Sequence, residues 1–337
     1  MKIAHKDIHK SVFIIAEIGA NHEGDLDTAI RMIDAAAGTN ADAVKFQTYR
    51  AEKIVTPAES QRYAHFQKLE LSDNDFITLA KHAQSKGILF LSTPFDIESV
   101  ELLDPIVPAF KIASGDLTTL ALIAAIAQKA KPILLSTGMG SIADIDAALA
   151  TIRSVNQRLI QEKQVALLHC VSSYPTKIEE ANLLSIQFLR QRYDLPVGYS
   201  DHVIGPLACE TAVALGARII EKHFTLEKEG KTFRDHALSA DPADMKLLVE
   251  HIRSIEASFG VPQKIMQPVE SSNSRTMRRS VAAKEDIAAG SILKESMLTF
   301  LRPATGIPAQ DMRAIIGKRT KNPIARSHII TYNDIEV

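Results

Sequence analysis

A short apolar run rich in β-branched residues, followed by an amphipathic stretch, recurs along most of the chain, and this alternation restricts the fold most. Eight such runs are predicted to be strands, at 12–19, 43–49, 88–95, 109–116, 132–138, 165–174, 196–202 and 218–226. Three- and four-residue apolar spacing predicts helices between and after them, as at 25–37, 73–86, 117–129, 141–155 and 242–259. Eight alternating units favour an α/β fold with a parallel (β/α)8 or TIM barrel. A doubly wound open sheet is the alternative, because periodicity alone does not show closure.

The alternating pattern ends at Gly260-Val261-Pro262. We therefore predict a barrel domain at 1–260, a polar linker at 261–276 and a small β-rich module at 277–337. A module of about sixty residues buries little apolar surface, so it is expected to dock on something.

Composition excludes several classes of protein. The 39 basic residues balance 40 acidic ones, which leaves no overall positive charge for binding nucleic acid or an anionic membrane. The two cysteines, Cys170 and Cys209, fit neither a disulfide framework nor a zinc motif, which favours a reducing compartment such as the cytoplasm. The apolar run before Glu17 is too short for a secretion signal, and no run approaches the roughly 20 apolar residues that span a bilayer.

In a TIM barrel the active site lies at the carboxyl ends of the strands, so polar residues near the end of each predicted strand are informative. Nearly every predicted strand ends in such residues. They include Glu17, Lys45, Gln47, Thr93, Lys111, Ser114, Ser136, Ser172, Tyr174, His202 and His223. Buried charges are costly unless they are paired or bind a ligand, so their convergence predicts a ligand site or a polar network.

Three kinds of chemistry are represented in this set. The two lysines and the hydroxyls suit an anion that carries both a phosphate and a carboxylate. His202 and His223 form the best pair of ligands for a divalent metal, because imidazole suits borderline transition metals. Glu17 lies among apolar residues, where a raised pKa would suit proton transfer. Each residue also has a structural alternative, such as a salt-bridged lysine or a hydrogen-bonded core histidine.

Ordered motifs run through nearly the whole chain. They are Ala16-Glu17-Ile18-Gly19, Val44-Lys45-Phe46-Gln47-Thr48, Ser92-Thr93-Pro94-Phe95, Phe110-Lys111-Ile112, Leu135-Ser136-Thr137-Gly138-Met139, Ser172-Ser173-Tyr174-Pro175, Ser200-Asp201-His202 and Glu221-Lys222-His223-Phe224. This set resembles the N-acetylneuraminate synthases and their legionaminic, pseudaminic and spore-coat relatives. The tail, with Arg279-Ser280, Ala289-Gly290 and Leu301-Arg302-Pro303, resembles their small antifreeze-like (SAF) domain.

The resemblance implies a reaction and a role for each matching residue. Phosphoenolpyruvate would condense with an N-acetylated amino-sugar aldehyde to give a nine-carbon 2-keto acid. The phosphoenolpyruvate site would consist of Lys45, Thr93, Lys111, Ser114, Ser136 and Ser172. Glu17 would be the catalytic carboxylate, and His202 and His223 would bind Mn²⁺, or Mg²⁺ or Co²⁺. The sugar would contact Gln47, Tyr174, Asp235 and Arg302, with Arg302 reaching the partner's barrel in a homodimer with swapped tail modules.

Two departures from the family pattern leave the particular sugar open. Phe233-Arg234-Asp235-His236 stands where relatives often read Gly-Pro-Asp-His, and the segment 51–67 is shorter than in many relatives. Arg234 would suit a phosphorylated sugar aldehyde as an alternative substrate. Two other functions also stay open. One is a Schiff-base aldolase that uses Lys45 or Lys111, and the other is a non-catalytic binding or ice-interacting protein.

Overall fold

The computed structural model describes residues 1–231 and 233–336 and divides into two compact units, Met1–Gly260 and Val261–Val337. The first unit begins with a short antiparallel pair, β1 (Lys2–Ile3) and β2 (Lys6–Asp7). Eight parallel strands follow. They are β3 (Phe13–Gly19), β4 (Ala43–Thr48), β5 (Leu89–Pro94), β6 (Phe110–Ile112), β7 (Ile133–Ser136), β8 (Val165–Cys170), β9 (Val197–Asp201) and β10 (Ile219–His223).

The eight strands form one sheet in the order β5-β4-β3-β10-β9-β8-β7-β6. The first strand of the series, β3, pairs with the last, β10, and the outer strands β5 and β6 contact each other. The sheet is therefore a nearly closed barrel, which confirms the predicted fold and rules out a doubly wound sheet. Each observed strand lies within its predicted limits.

Twelve helices lie in the described part of the first unit. They are α1 (Leu26–Ala37), α2 (Ala51–Ile54), α3 (Ser60–Leu69), α4 (Asp73–Ser85), α5 (Ile97–Leu103), α6 (Leu120–Gln128), α7 (Ile142–Val155), α8 (Gln157–Gln161), α9 (Ser185–Tyr193), α10 (Leu207–Ala214), α11 (Asp235–Leu238) and α12 (Pro242–Ser258). Capping boxes begin α4, where Ser72 pairs with Asp75, and α7, where Ser141 pairs with Asp144. No helix in the described ranges is long and apolar enough to cross a membrane.

The alternation of side chains along β3 determines which of them point into the barrel. Ile14, Ala16 and Ile18 belong to the apolar layer shared with the helices, whereas Phe13 and Ile15 belong to a separate core with residues of the β1–β2 segment. Glu17 follows Phe13 and Ile15 at the same two-residue spacing. The strand thus places this carboxylate inside the barrel, toward the carboxyl ends of the strands.

The second unit consists of short elements around its own apolar core. It contains α13 (Ser271–Met277), the antiparallel strands β11 (Ser280–Ala283) and β12 (Leu298–Leu301), and α14 (Met312–Ile315). Val281, Leu293, Ile307 and Ile330 are among its fully buried residues. The segment 261–276, predicted to be a linker, contains most of α13.

Candidate functional site

A cavity of about 600 Å³ opens at the carboxyl ends of the barrel strands. Eleven of the thirteen predicted site residues line it. They are Glu17, Lys45, Gln47, Thr93, Lys111, Ser114, Ser136, Ser172, Tyr174, His202 and His223. Asp235 lines an adjoining cavity that shares Gln47, Tyr174 and His223. Arg302 belongs to the second unit, where its side chain is exposed at the end of β12.

The floor of the cavity is a chain of four buried charged groups. Lys45 Nζ lies 2.7 Å from Glu17 Oε2 and 3.7 Å from Glu221 Oε2, and Lys111 Nζ lies 3.5 Å from Glu221 Oε1. Glu221 was not among the predicted site residues. A signal was available, because Glu221 precedes His223 by two residues on one strand and therefore faces the same side.

The two carboxylates among these four buried groups, Glu17 and Glu221, differ in acidity. Burial raises the pKa of Glu17 to about 7, even though Lys45 opposes the shift. Burial also disfavours the ionised form of Glu221, but Lys111 and Lys45 outweigh it and lower the pKa of Glu221 to about 2. Near neutral pH, Glu221 is therefore ionised while Glu17 can exchange a proton, as proton transfer requires.

Hydroxyl groups line the same cavity as the two lysines. Lys45 Nζ donates to Thr93 Oγ1 at 3.0 Å, and the Gly138 N–H donates to Ser114 Oγ at 3.1 Å. The hydroxyls of Ser136 and Ser172 are buried and lack a partner within the described residues. Buried hydroxyls without partners are costly, so these two are available to a ligand in the cavity.

Gly138 is the residue that allows the backbone to approach this group. A Cβ at position 138 would lie 2.5 Å from Ser172 Oγ and 2.7 Å from Ser114 Oγ. Both distances are too short for any side chain, so glycine is required to keep the two hydroxyls where they are.

The two predicted metal ligands lie side by side with Tyr174. The ring centroids of His202 and His223 are 5.3 Å apart, and Tyr174 lies 4.0 Å from His202. His202 Nδ1 lies 2.7 Å from the Val171 carbonyl oxygen and therefore carries the hydrogen, which leaves Nε2 free to bind a metal. His223 Nδ1 is buried without a partner in the described part of the chain.

The donor set for a metal is incomplete. No group of three or more His, Cys, Asp or Glu side chains with metal-binding geometry occurs within residues 1–231 and 233–336. His202 and His223 are thus a pair of candidate ligands, and an ion held by them would take its remaining ligands from water or substrate.

The mouth of the cavity contains the departure from the family pattern. The Arg234 guanidinium lies 4.6 Å above the Tyr174 ring, and Arg234 Nε lies 3.2 Å from Asp235 Oδ1. Arg62 and Phe66 from α3 line the same opening. The segment 51–67 and Arg234 thus lie together above the predicted sugar contacts.

Comparisons with known proteins cover nearly the whole chain. The NeuB family model matches residues 32–264 and the SAF domain model matches residues 278–336. The N,N'-diacetyllegionaminic acid synthase of Campylobacter jejuni is 40% identical, over 93% of this chain and 97% of that protein. The N-acetylneuraminate-9-phosphate synthase of Mus musculus is 34% identical, over 96% of this chain and 92% of that protein.

A solved structure of a related enzyme is also similar to this chain. The N-acetylneuraminic acid (sialic acid) synthetase of Leptospira borgpetersenii, in complex with citrate, has 38% sequence identity and a TM-score of 0.73. The match covers 78% of this chain and 90% of that one. These matches confirm the resemblance expected from the ordered motifs, including that of the tail to a SAF domain.

Proposed function

Because the chain belongs to the NeuB family, we propose that it is a synthase of the transferase class that condenses phosphoenolpyruvate, an N-acetylated amino-sugar aldehyde and water. The products would be a nine-carbon 3-deoxy-2-keto acid and phosphate. The observation that carries the proposal is the buried pair of lysines next to the unpartnered hydroxyls of Ser136 and Ser172. We place the enzyme in the cytoplasm, since both cysteines are buried free thiols.

The lysines and the hydroxyls would together bind the phosphate and carboxylate ends of phosphoenolpyruvate. Lys45 and Lys111 provide charge, and the hydroxyls of Ser114, Ser136 and Ser172 provide donors for phosphate and carboxylate oxygens. Held in this way, carbon 3 can be directed at the aldehyde carbon. Such orientation can contribute several kcal/mol to lowering the barrier.

The proposed reaction forms one carbon–carbon bond and breaks one carbon–oxygen bond. Carbon 3 attacks the aldehyde carbon, water adds to carbon 2, and the bond from carbon 2 to the phosphate oxygen then breaks. Protonated Glu17 donates a proton to the former aldehyde oxygen, and its carboxylate then accepts a proton from the water. The protons balance without another reactant.

We also propose a divalent metal, Mn²⁺ or else Mg²⁺ or Co²⁺, held by His202 and His223. A metal bound there would polarise the aldehyde oxygen as a Lewis acid. The free Nε2 of His202 and the unpartnered Nδ1 of His223 support the assignment. The histidines lie next to Tyr174, so the metal would be bound at the end of the cavity that receives the sugar.

Release of inorganic phosphate from phosphoenolpyruvate tests the reaction. We expect release that depends on N-acetylmannosamine or a diacetamido-trideoxyhexose, together with a 2-keto acid product. Adding N-acetylmannosamine 6-phosphate to the panel tests the phosphorylated alternative. If no sugar in the panel supports phosphate release, the proposed substrate class is contradicted.

Borohydride distinguishes the Schiff-base alternative from the proposed reaction. A lysine imine would be trapped covalently, and the protein mass would increase after reduction with substrate present. We expect no such increase on Lys45 or Lys111. A non-catalytic binding protein would give neither phosphate release nor trapping.

We further propose a homodimer in which the SAF module of one chain completes the sugar site of the other through Arg302. A swapped module is a low-cost route to a symmetric dimer. Mixed dimers provide the test. Glu17→Gln and Arg302→Ala are each expected to be poorly active alone, whereas their co-expressed heterodimer should recover about half of wild-type activity.

The recovery follows from how the lesions are distributed. If Arg302 acts across the dimer, one site carries both lesions and the other carries neither. If Arg302 serves its own barrel, every site carries one lesion and activity stays low, which would contradict sharing. Arg313→Ala, at another exposed arginine of the same unit, is the matched control and should retain full activity as a homodimer.

A further inference from the structure

A second buried ion pair lies on the outer side of the barrel wall, directly behind the two histidines. Lys222 Nζ lies 2.7 Å from Asp201 Oδ2, and neither side chain is more than 2% exposed. We propose that this pair is a positioning device that sets the spacing of His202 and His223. The inference rests on the proposed metal site.

Strand register connects the pair to the histidines. β9 and β10 align Ser200 with Glu221 and Asp201 with Lys222. Because side chains alternate across a strand, Glu221 faces the cavity and Lys222 faces the surrounding helices. On the inner side Ser200 Oγ donates to Glu221 Oε1 at 2.8 Å. The two strands are thus joined on both faces immediately before His202 and His223.

The outer pair also holds the residue that follows His202. The Val203 N–H donates to Asp201 Oδ1 at 2.8 Å, and Lys222 Nζ donates to the Val203 carbonyl oxygen. His202 is therefore flanked by two residues of the same network. His223 directly follows a third, Lys222.

The carboxylate itself is held rigidly. Tyr199 Oη donates to Asp201 Oδ1 at 2.9 Å, and Cys209 Sγ donates to Oδ2 at 3.2 Å. Together with Val203 and Lys222, these groups give Asp201 four donors, two on each oxygen. A fully hydrogen-bonded buried group has one well-defined position.

Stability alone is a weak reason for this arrangement. The layer between sheet and helices is otherwise rich in apolar residues, and a buried ion pair is often no more stabilising than apolar side chains of the same volume. What an ion pair adds is a specific geometry. The geometry here joins the two strand ends that carry the proposed metal ligands.

Metal binding by the variants tests the inference independently of catalysis. In Asp201→Asn, Lys222→Met and the double variant, we expect Co²⁺ affinity to fall by about tenfold and the visible absorption spectrum of bound Co²⁺ to change. Each single variant leaves a buried group unpaired and should melt at a lower temperature. The double variant has no unpaired charge, so it should regain much of the melting temperature without regaining metal affinity.

A second buried carboxylate provides a matched control. Asp42 pairs with Arg253 at 3.0 Å and with Lys6 at 2.8 Å, just before β4 and at the opposite end of the barrel. Asp42→Asn should lower the melting temperature but leave Co²⁺ affinity unchanged. Wild-type Co²⁺ affinity in the double variant would overturn the positioning role alone. Wild-type protein that binds no divalent metal would overturn the proposed metal site and the positioning role with it.

Discussion

Removing divalent metal with a chelator is expected to abolish turnover, and adding Mn²⁺, Co²⁺ or Mg²⁺ should restore it. The reason is that Lewis-acid polarisation of a carbonyl contributes several kcal/mol of transition-state stabilisation. At roughly 1.4 kcal/mol per factor of ten, losing it lowers the rate by at least about a hundredfold. Phosphate release by protein of verified metal content measures the effect. Full turnover by metal-free protein would contradict the proposal.

Variants of the two histidines separate metal binding from folding. His202→Ala and His223→Ala should each lose Mn²⁺ binding and activity while keeping the melting temperature near that of the metal-free wild type. His169 provides the matched control, because its ring Nε2 donates to the Ala181 carbonyl oxygen at 2.8 Å and the side chain does not line the cavity. His169→Asn should retain metal binding. A loss of folding in both cavity variants would instead indicate that these histidines support the core.

The strands could be predicted because they are buried on both faces, so that apolar residues dominate each run up to its polar end. Their ends were less clear. The predicted strands at 109–116 and 165–174 end in the structure at Ile112 and Cys170. Beyond these points Ser114 begins a 3₁₀ turn, and Ser172 and Tyr174 lie in a loop. These three predicted contacts thus come from loops after the strands, where a barrel can vary its chemistry.

Two parts of the site were missed in the sequence. Helix α3 has only one buried residue, Leu69, so it lacks the apolar face by which a helix is recognised in a sequence. Glu221 was missed for a different reason. Its partners Lys45, Lys111 and Ser200 come from three other strands, and the contacts depend on strand register rather than on sequence spacing.

Replacing Glu17 by glutamine is expected to lower turnover by about a hundredfold or more while leaving phosphoenolpyruvate binding intact. The amide keeps the shape of the side chain and one acceptor oxygen for Lys45 Nζ, which lies 2.7 Å from Glu17 Oε2, but it cannot exchange a proton. General acid–base catalysis typically contributes a factor of about 10² to 10⁴. Single-turnover kinetics and calorimetric binding measure the two quantities separately. Glu17→Asp retains a carboxyl group and should lie between wild type and Glu17→Gln, whereas wild-type turnover in Glu17→Gln would show that the carboxylate is structural.

The pH dependence of phosphoenolpyruvate binding to the metal-free protein is expected to report the charge of Glu17. With Glu17 protonated, the two lysines and ionised Glu221 carry a net positive charge. As pH rises through about 7, Glu17 ionises, the group becomes neutral, and affinity for the phosphoenolpyruvate anion should fall severalfold. The ligand phosphate, with a second pKa of about 6, also titrates in part of this range, but it does so equally with both proteins, so the difference from Glu17→Gln isolates the residue. The glutamine variant is always neutral at this position and should bind at pH 8 at least as tightly as wild type. A parallel loss of affinity in both proteins would assign the titration to another group, such as Lys111, whose pKa burial lowers.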